Sequence, residues 1–374
     1  MSTILIKNGT LIDGSGSKRY LADILIENEK IKKIGKLDLT ADKVIDASGK
    51  IVSPGFIDTH SHSDLKVLIE PFVEPKIRQG ITTEILGQDG ISMAPLPEEY
   101  VSSWRKNLAG LDGDSDELKW DWKNTDGYLN LISKTGSGPN ELYLVPHGNI
   151  RMEAMGLEAR VATKEELEKM KEITRREMEA GVAGLSTGLI YIPCAYAETE
   201  ELIEICKVAA EYGRPLVIHQ RSEADTMLES MQEVIRIAKE SGVKIHFSHF
   251  KICGQKNWKL IEPVIALLDK CKEEGINVSY DQYPYVAGST MLGVILPPWA
   301  HAGGTDKLIE RLKDKSLREK MKKDIIEGIP GWDNFIDFAG FDGIYVTSVK
   351  TDKNQDCIGK NLTEIAEMRG KEKF

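Results

Sequence analysis

No apolar run in this chain approaches the ~20 residues that a membrane-spanning helix needs. The opening residues, MSTILIKNG, lack the basic-then-apolar pattern of a secretory leader. Cysteine is scarce. Cys194, Cys206, Cys253, Cys271 and Cys357 are odd in number, dispersed and form no CxxC pair. That argues against a disulfide framework and against a cysteine-built zinc site, and it points to a reduced, cytoplasmic setting. Basic residues are outnumbered, 49 Lys and Arg against 59 Asp and Glu, for a net charge of -10. Such a balance counts against a nucleic-acid or anionic-membrane surface. No GxGxxG or GxxxxGK[ST] turn follows any expected strand, so nucleotide binding loses ground. Histidine is rare as well, with seven in 374 residues, and the placement of each therefore carries weight.

What is present is a strand-and-helix rhythm. Residues 1–54 are short β-rich runs between turn signals, a small β-sheet domain in which the alternation of DILIENEKIKKI puts Ile24, Ile26, Ile31 and Ile34 on buried sides. From residue 55 the pattern becomes βα. Strands are expected in GFIDTH (55–60), TTEILGQ (82–88), ELYLVPHG (141–148), VAGLSTG (182–188), PLVIHQ (215–220), VKIHFSHF (243–250) and INVSYDQY (276–283). Thr163 and Glu166 form a capping box, and the following helices close near Gly181, Gly213, Gly242 and Gly275, where glycine fits a left-handed cap. Repeated units of this kind build a parallel sheet, doubly wound or closed as a barrel. A chain of this length exceeds one ordinary core, but an α/β barrel accommodates it. Residues 91–140, with Trp104, Trp120 and Trp122, read as a lid or side cover. Residues 290–341 read as an inserted subdomain, and 342–374 as a return toward the barrel, with a strand at GIYVTSVK (343–350).

Four histidines stand out. His60 and His62, in THSHSD, share a strand face with Phe56 and Asp58. An HxH pair alone is weak evidence for a metal and reads more readily as buried or solvent-exposed structural histidines. His219 and His249, however, each end an expected strand and lie 30 residues apart, one βα unit, on what would be the active-site rim of a barrel. Packing alone would not gather four of seven histidines on one rim, whereas a divalent metal would. His147 ends the third strand and either lines the pocket or is structural. His246 has the opposite parity to His249 and should face the helices, and His301 should face solvent.

Several stretches, GFIDTHSHSD, GITTEILGQDGISMAP, GLSTGLIYIPCAYAETEEL, VIHQRSE, SHFK and YPYVAGSTML, together resemble the N-acyl-D-amino-acid deacylase (D-aminoacylase) family of the amidohydrolase superfamily. The resemblance implies a metal-dependent (β/α)8 barrel with a small N-terminal β-sheet domain. It also implies metal-dependent hydrolysis of N-acyl-D-amino acids to a carboxylate and a D-amino acid. By the family pattern His219 and His249 hold the tighter ion, and His60 and His62 belong to a second, weaker site. Where many relatives have a bridging cysteine in GNCG, this chain reads GQDG, which puts Asp89 in that place. A carboxylate is a harder ligand than a thiolate, so zinc is expected but other divalent metals become possible. Asp89 as a plain turn residue before Gly90 is the competing reading.

The resemblance further implies that Tyr191 polarises the substrate carbonyl and that Lys251, Tyr283 and Ser289 hold the substrate carboxylate, as charge-assisted hydrogen bonds would. Arg221 and Glu223 are equally readable as an ion pair beside His219. The implied partner is a small-molecule N-acyl amino acid, with no nucleic acid or membrane. The family's general-base aspartate sits on an eighth barrel strand, which is expected beyond residue 374, so the chain reads as an incomplete one. Two alternatives stand beside this reading. A cyclic-amide hydrolase of the dihydroorotase or hydantoinase kind would need a carbamylated lysine on the fourth strand, and VAGLSTG has none. A catalytically silent metal-binding domain is the other.

Overall fold

The computed structural model describes residues 2–374. Two compact units result. One holds the residues up to Ile57 with Gly80–Thr82, the other Asp58–Gln79 with Thr83–Phe374.

Five strands make the first sheet: β1 (Thr3–Leu11), β2 (Tyr20–Glu27), β3 (Lys30–Gly35), β4 (Lys43–Asp46) and β5 (Ile51–Val52). β1 is central, antiparallel to β2 and parallel to β4 and β5, and β3 lies outside β2. Alternation buries Leu5 and Leu11 on β1 and Ala22 and Ile24 on β2. The β1–β2 register shifts between Ile6 and Gly9. There Asn8 takes a left-handed backbone (φ 61°), and buried Asp23 accepts the amides of Asn8 at 2.8 Å and Leu37 at 2.9 Å. Ile31 and Ile34, expected inside, are 63% and 42% exposed. Alternation shows which residues share a face but not which strand lies at an edge, and β3 pairs on one side only.

The second sheet runs in simple sequential order through β6 (Phe56–Asp58), β7 (Ile81–Leu86), β8 (Asn140–Pro146), β9 (Gly184–Gly188), β10 (Leu216–His219), β11 (Ile245–Phe247) and β12 (Val278–Tyr280). Neighbours from β7 to β12 pair in parallel, forming the curled sheet of a (β/α) barrel. Helices Lys164–Glu179, Thr199–Glu211, Met227–Ser241 and Ile261–Glu273 fill the later crossovers. The first is fixed by the expected Thr163–Glu166 capping box, and it buries Met170, Ile173, Thr174, Glu177 and Met178, an i, i+3, i+4, i+7, i+8 stripe. Each large apolar side chain so buried contributes about 1.5–3 kcal/mol. Gly213, Gly242 and Gly275 follow their helices with φ of 66°, 76° and 72°, as the left-handed cap requires.

The segment 91–140 packs inward. Trp104 and Trp122 are buried, and their indole nitrogens donate to the carbonyls of Ser92 and Met93, each at 2.7 Å. Residues 290–341 contain helices Thr305–Lys313, Lys315–Glu327 and Phe335–Ala339, with a small apolar cluster of Ala300, Leu308 and Met321. GIYVTSVK is not a strand. Its single ladder contact is an antiparallel bridge from Tyr345 to Asn361, because β propensity makes no strand without a neighbouring backbone to pair with. Among the described residues the barrel sheet has seven strands, with β6 and β12 each paired on one side. Among the described residues no helix is long and apolar enough to cross a membrane.

Candidate metal centre

The centre is built on a turn that only certain residues can make. After β7 the chain passes through Gly87, Gln88, Asp89 and Gly90, with φ of 79° at Gly87, 56° at Asp89 and 70° at Gly90. A Cβ on Gly87 would fall 2.1 Å from the Leu144 carbonyl oxygen, and one on Gly90 would fall 2.7 Å from Thr187 Cα. Both positions therefore need glycine, and aspartate is among the side chains that tolerate the left-handed region between them. Asp64 braces the turn, its Oδ1 accepting from Gly87 N at 2.8 Å and Ser92 Oγ at 2.5 Å. Burial, aided by Asp112, pushes the Asp64 carboxyl up to about 7.

Asp89 is thereby held, buried, between two histidine pairs. His219 Nδ1 and His249 Nε2 lie 2.8 Å apart, and His249 Nε2 is 3.6 Å from Asp89 Oδ1. On the other side His60 Nε2 and His62 Nε2 lie 3.7 and 3.3 Å from Asp89 Oδ2. Each pair shares with Asp89 a set of ligand atoms within 4.8 Å of one another. The five expected metal-site residues, His60, His62, Asp89, His219 and His249, thus converge.

The electrostatics fit a cation. Burial holds His60 neutral, at about 4, and His219 at about 3. Burial also opposes charge on His249, but Glu223 and Asp89 outweigh it and raise the imidazole to about 9. Asp89 Oδ1 is buried without a hydrogen-bond partner, a cost that a divalent ion would remove.

Around these ligands the structure adds residues that spacing alone does not reveal. Asp112 Oδ1 sits 3.2 Å from His62 Nδ1. Glu223 Oε1 lies 3.0 Å from His249 Nδ1, and Glu223 Oε2 pairs with Lys251 Nζ at 2.7 Å. The Arg221–Glu223 pair is not formed. Arg221 instead meets Glu233 at 2.8 Å, because the loop after β10 sends Arg221 and Glu223 in different directions. Tyr191 packs edge-on against His219, ring centres 5.5 Å apart, and its hydroxyl meets Thr290 Oγ1 at 2.9 Å. Lys251 Nζ sits 5.4 Å over the Tyr283 ring. Ser289 is exposed, and it is Thr290 next to it that reaches Tyr191.

The remaining histidines lie elsewhere. His147 is wholly buried between Thr187 (2.9 Å) and Glu201 (2.8 Å), a structural role. His246 does not face the helices. Its neighbours Ile245 and Phe247 do that, while its ring reaches Asp281 at 2.8 Å. Strand parity fails here because β11 ends at Phe247 and His249 has a left-handed backbone, φ 37°. His301 is half-buried rather than solvent-facing, with Nε2 3.0 Å from the Gly293 carbonyl oxygen.

An apolar cavity of about 200 Å³ opens beside Tyr191, lined among others by Ile190, Ile192, Met291, Val294, Leu296 and Phe335.

A parallel sheet of this barrel type, carrying two histidine pairs around one acidic ligand at its strand ends, is the layout of a metal-dependent hydrolase. Residues 43–264 match the model of the amidohydrolase family. The chain is 36% identical to D-aminoacylase of Alcaligenes xylosoxydans xylosoxydans over 290 residues, 77% of this chain and 58% of that protein. It superposes on the crystal structure of N-acyl-D-glutamate deacylase from Bordetella bronchiseptica, complexed with zinc and a phosphonate mimic of the tetrahedral intermediate. That match has a TM-score of 0.80 and 31% identity, covering 99% of this chain and 68% of the other. It superposes likewise on a D-aminoacylase with a binuclear metal centre (TM-score 0.79, 30% identity, 99% and 68% coverage). The chain belongs to the amidohydrolase family, in its D-aminoacylase branch. Its match spans little more than half the length of the curated D-aminoacylase.

Proposed function

We propose that this chain carries the metal- and substrate-binding core of an enzyme that hydrolyses N-acyl-D-amino acids to a carboxylate and a D-amino acid. The observation that carries this reading is Asp89, a buried carboxylate with a partnerless oxygen, facing two histidine pairs. Asp89, His219 and His249 would hold one divalent ion, zinc in the first instance, and His60 and His62 with Asp89 a second. When bound, such an ion supplies Lewis-acid activation of the amide and of the attacking water.

The chain's own residues do the rest. Burial, reinforced by Asp89, raises the Tyr191 phenol far above its ordinary range, so its hydroxyl stays a donor for the substrate carbonyl. Lys251 and Tyr283 take the substrate carboxylate, with Ser289 at the exposed rim of the same loop. The cavity beside Tyr191 favours an apolar substituent: the ammonium of Lys106, on its wall, is already paired with Asp306 at 2.8 Å. We place the reaction in the cytoplasm, given five free cysteines, four of them buried. The net charge of -10 supports a small-molecule partner over nucleic acid.

Calorimetric titration of the zinc-loaded chain with phosphonate analogues of N-acetyl-D-leucine and N-acetyl-L-leucine tests this, alongside release of free amino acid from the parent amides. The D analogue should bind and the L analogue should not. Equal binding of both, or action only on hydantoins or dihydroorotate, would overturn the reading.

A further inference from the structure

The least relaxed backbone at the centre belongs to a ligand. His249 has φ 37°, a region that a residue with a Cβ enters only when its surroundings impose it. Glycine would take that conformation freely but offers no imidazole. The ligand must therefore be forced into place, and three side chains do so, Asp281 and Glu223 from other parts of the chain and Lys251 from two residues on. Its backbone N–H donates to Asp281 Oδ1 at 2.5 Å. Its carbonyl oxygen accepts from Lys251 Nζ at 3.0 Å. Its ring Nδ1 stands 3.0 Å from Glu223 Oε1 and 3.0 Å from Lys251 Nζ.

Each of the two carboxylates is itself held. Asp281 Oδ2 lies 2.8 Å from His246 Nε2, and the other nitrogen of that ring meets Ser279 Oγ at 2.8 Å. Glu223 is gripped by Lys251 on its side chain and by Asp333 on its backbone, where Asp333 Oδ2 accepts the Glu223 amide at 2.7 Å. Asp333 belongs to the 290–341 segment, which thereby braces the centre from outside the strand-and-helix repeat.

We propose that Asp281 and Glu223 are positioning residues that fix His249 in its strained backbone and its ring orientation, and so set the affinity of the Asp89–His219–His249 site for its divalent ion. The inference rests on the metal reading given above. The two residues act differently. Asp281 fixes the main chain, whereas Glu223, its other oxygen paired with Lys251, would accept the Nδ1–H and leave Nε2 with its lone pair directed at the site, the usual duty of a carboxylate behind a metal-binding imidazole.

The test uses the full 374-residue chain, stripped of metal. Zinc affinity is measured by competition with a chromophoric chelator, and ligand geometry by the visible absorption of bound cobalt(II). Asp281→Ala and Glu223→Ala should each weaken zinc binding by roughly 10- to 100-fold and change the cobalt bands. Asp281→Asn keeps an oxygen for the His249 amide and Glu223→Gln keeps one for Nδ1, so both should recover most of the affinity. A folded Asp281→Ala protein, verified by circular dichroism, with wild-type affinity and an unchanged cobalt spectrum would overturn the proposal. Should Asp281→Ala not fold, wild-type values in Glu223→Ala overturn it equally. Failure of the wild-type chain to bind zinc would instead sink the metal reading itself, a result that cannot be confused with the other two.

Discussion

The two halves of the centre are built differently. His219 ends β10, and His249 lies two residues past β11, where Asp281, Lys251 and Glu223 hold it with its Nε2 2.8 Å from His219 Nδ1. His60 and His62 lie on a bend beyond β6, and their approach to Asp89 is looser, at 3.7 and 3.3 Å. Strand ends inherit their level from the sheet's hydrogen bonds, whereas a bend depends on what lies behind it, here Asp112 at 3.2 Å from His62. One half rests on a strand end and three fixing groups and the other on a single carboxylate, so the first should bind the more tightly.

The largest expected effect falls on the strand-end half. Replacing both His219 and His249 with alanine should abolish tight metal binding, as elemental analysis after dialysis would show. Undiminished metal in that double variant would erase the distinction between the halves. Asp89 serves both, so Asp89→Ala should lower the metal content of each. Asp89→Cys should retain metal while moving the zinc-to-manganese preference toward zinc, the softer ion. If Asp89→Ala keeps full occupancy, the residue is only a turn former.

A smaller effect is expected from His60→Ala with His62→Ala. Stoichiometric titration should lose the weaker equivalent and keep the tighter one, and loss of both would show the halves to be interdependent. Smallest of all, Asp112→Asn should weaken only that second equivalent, by about 10-fold. An equal loss at the His219 half would mean that Asp112 supports the whole turn rather than one ring.

The same contrast explains what was legible in the sequence. The strand-end pair can be read from spacing because Gly213 and Gly242 punctuate the βα units and fix where β10 and β11 begin. The capping box at Thr163 and the left-handed glycines are local chemistry, and they sit where the sequence puts them. Asp112, Glu223 and Asp281 were not legible, since each meets its histidine only through packing of segments between 26 and 50 residues apart. Parity misjudged His246 because one residue, His249, leaves the extended region and resets the count. The exposure of Ile31 and Ile34 escaped for a related reason, alternation being blind to sheet edges.

The glycine turn has a consequence for how such a protein can change over time. Gly87 and Gly90 are locked by backbone contacts on neighbouring strands, and a Cβ on Gly188 would come within 2.4 Å of the Asp89 carbonyl oxygen. The socket is thus made by main chain and by the side chains of Asp64 and Ser186, which bond its backbone, rather than by the side chain at position 89. A lineage can exchange the ligand there, thiolate for carboxylate, by replacing one residue without disturbing the barrel. Metal preference becomes a trait free to drift while the architecture stays under constraint.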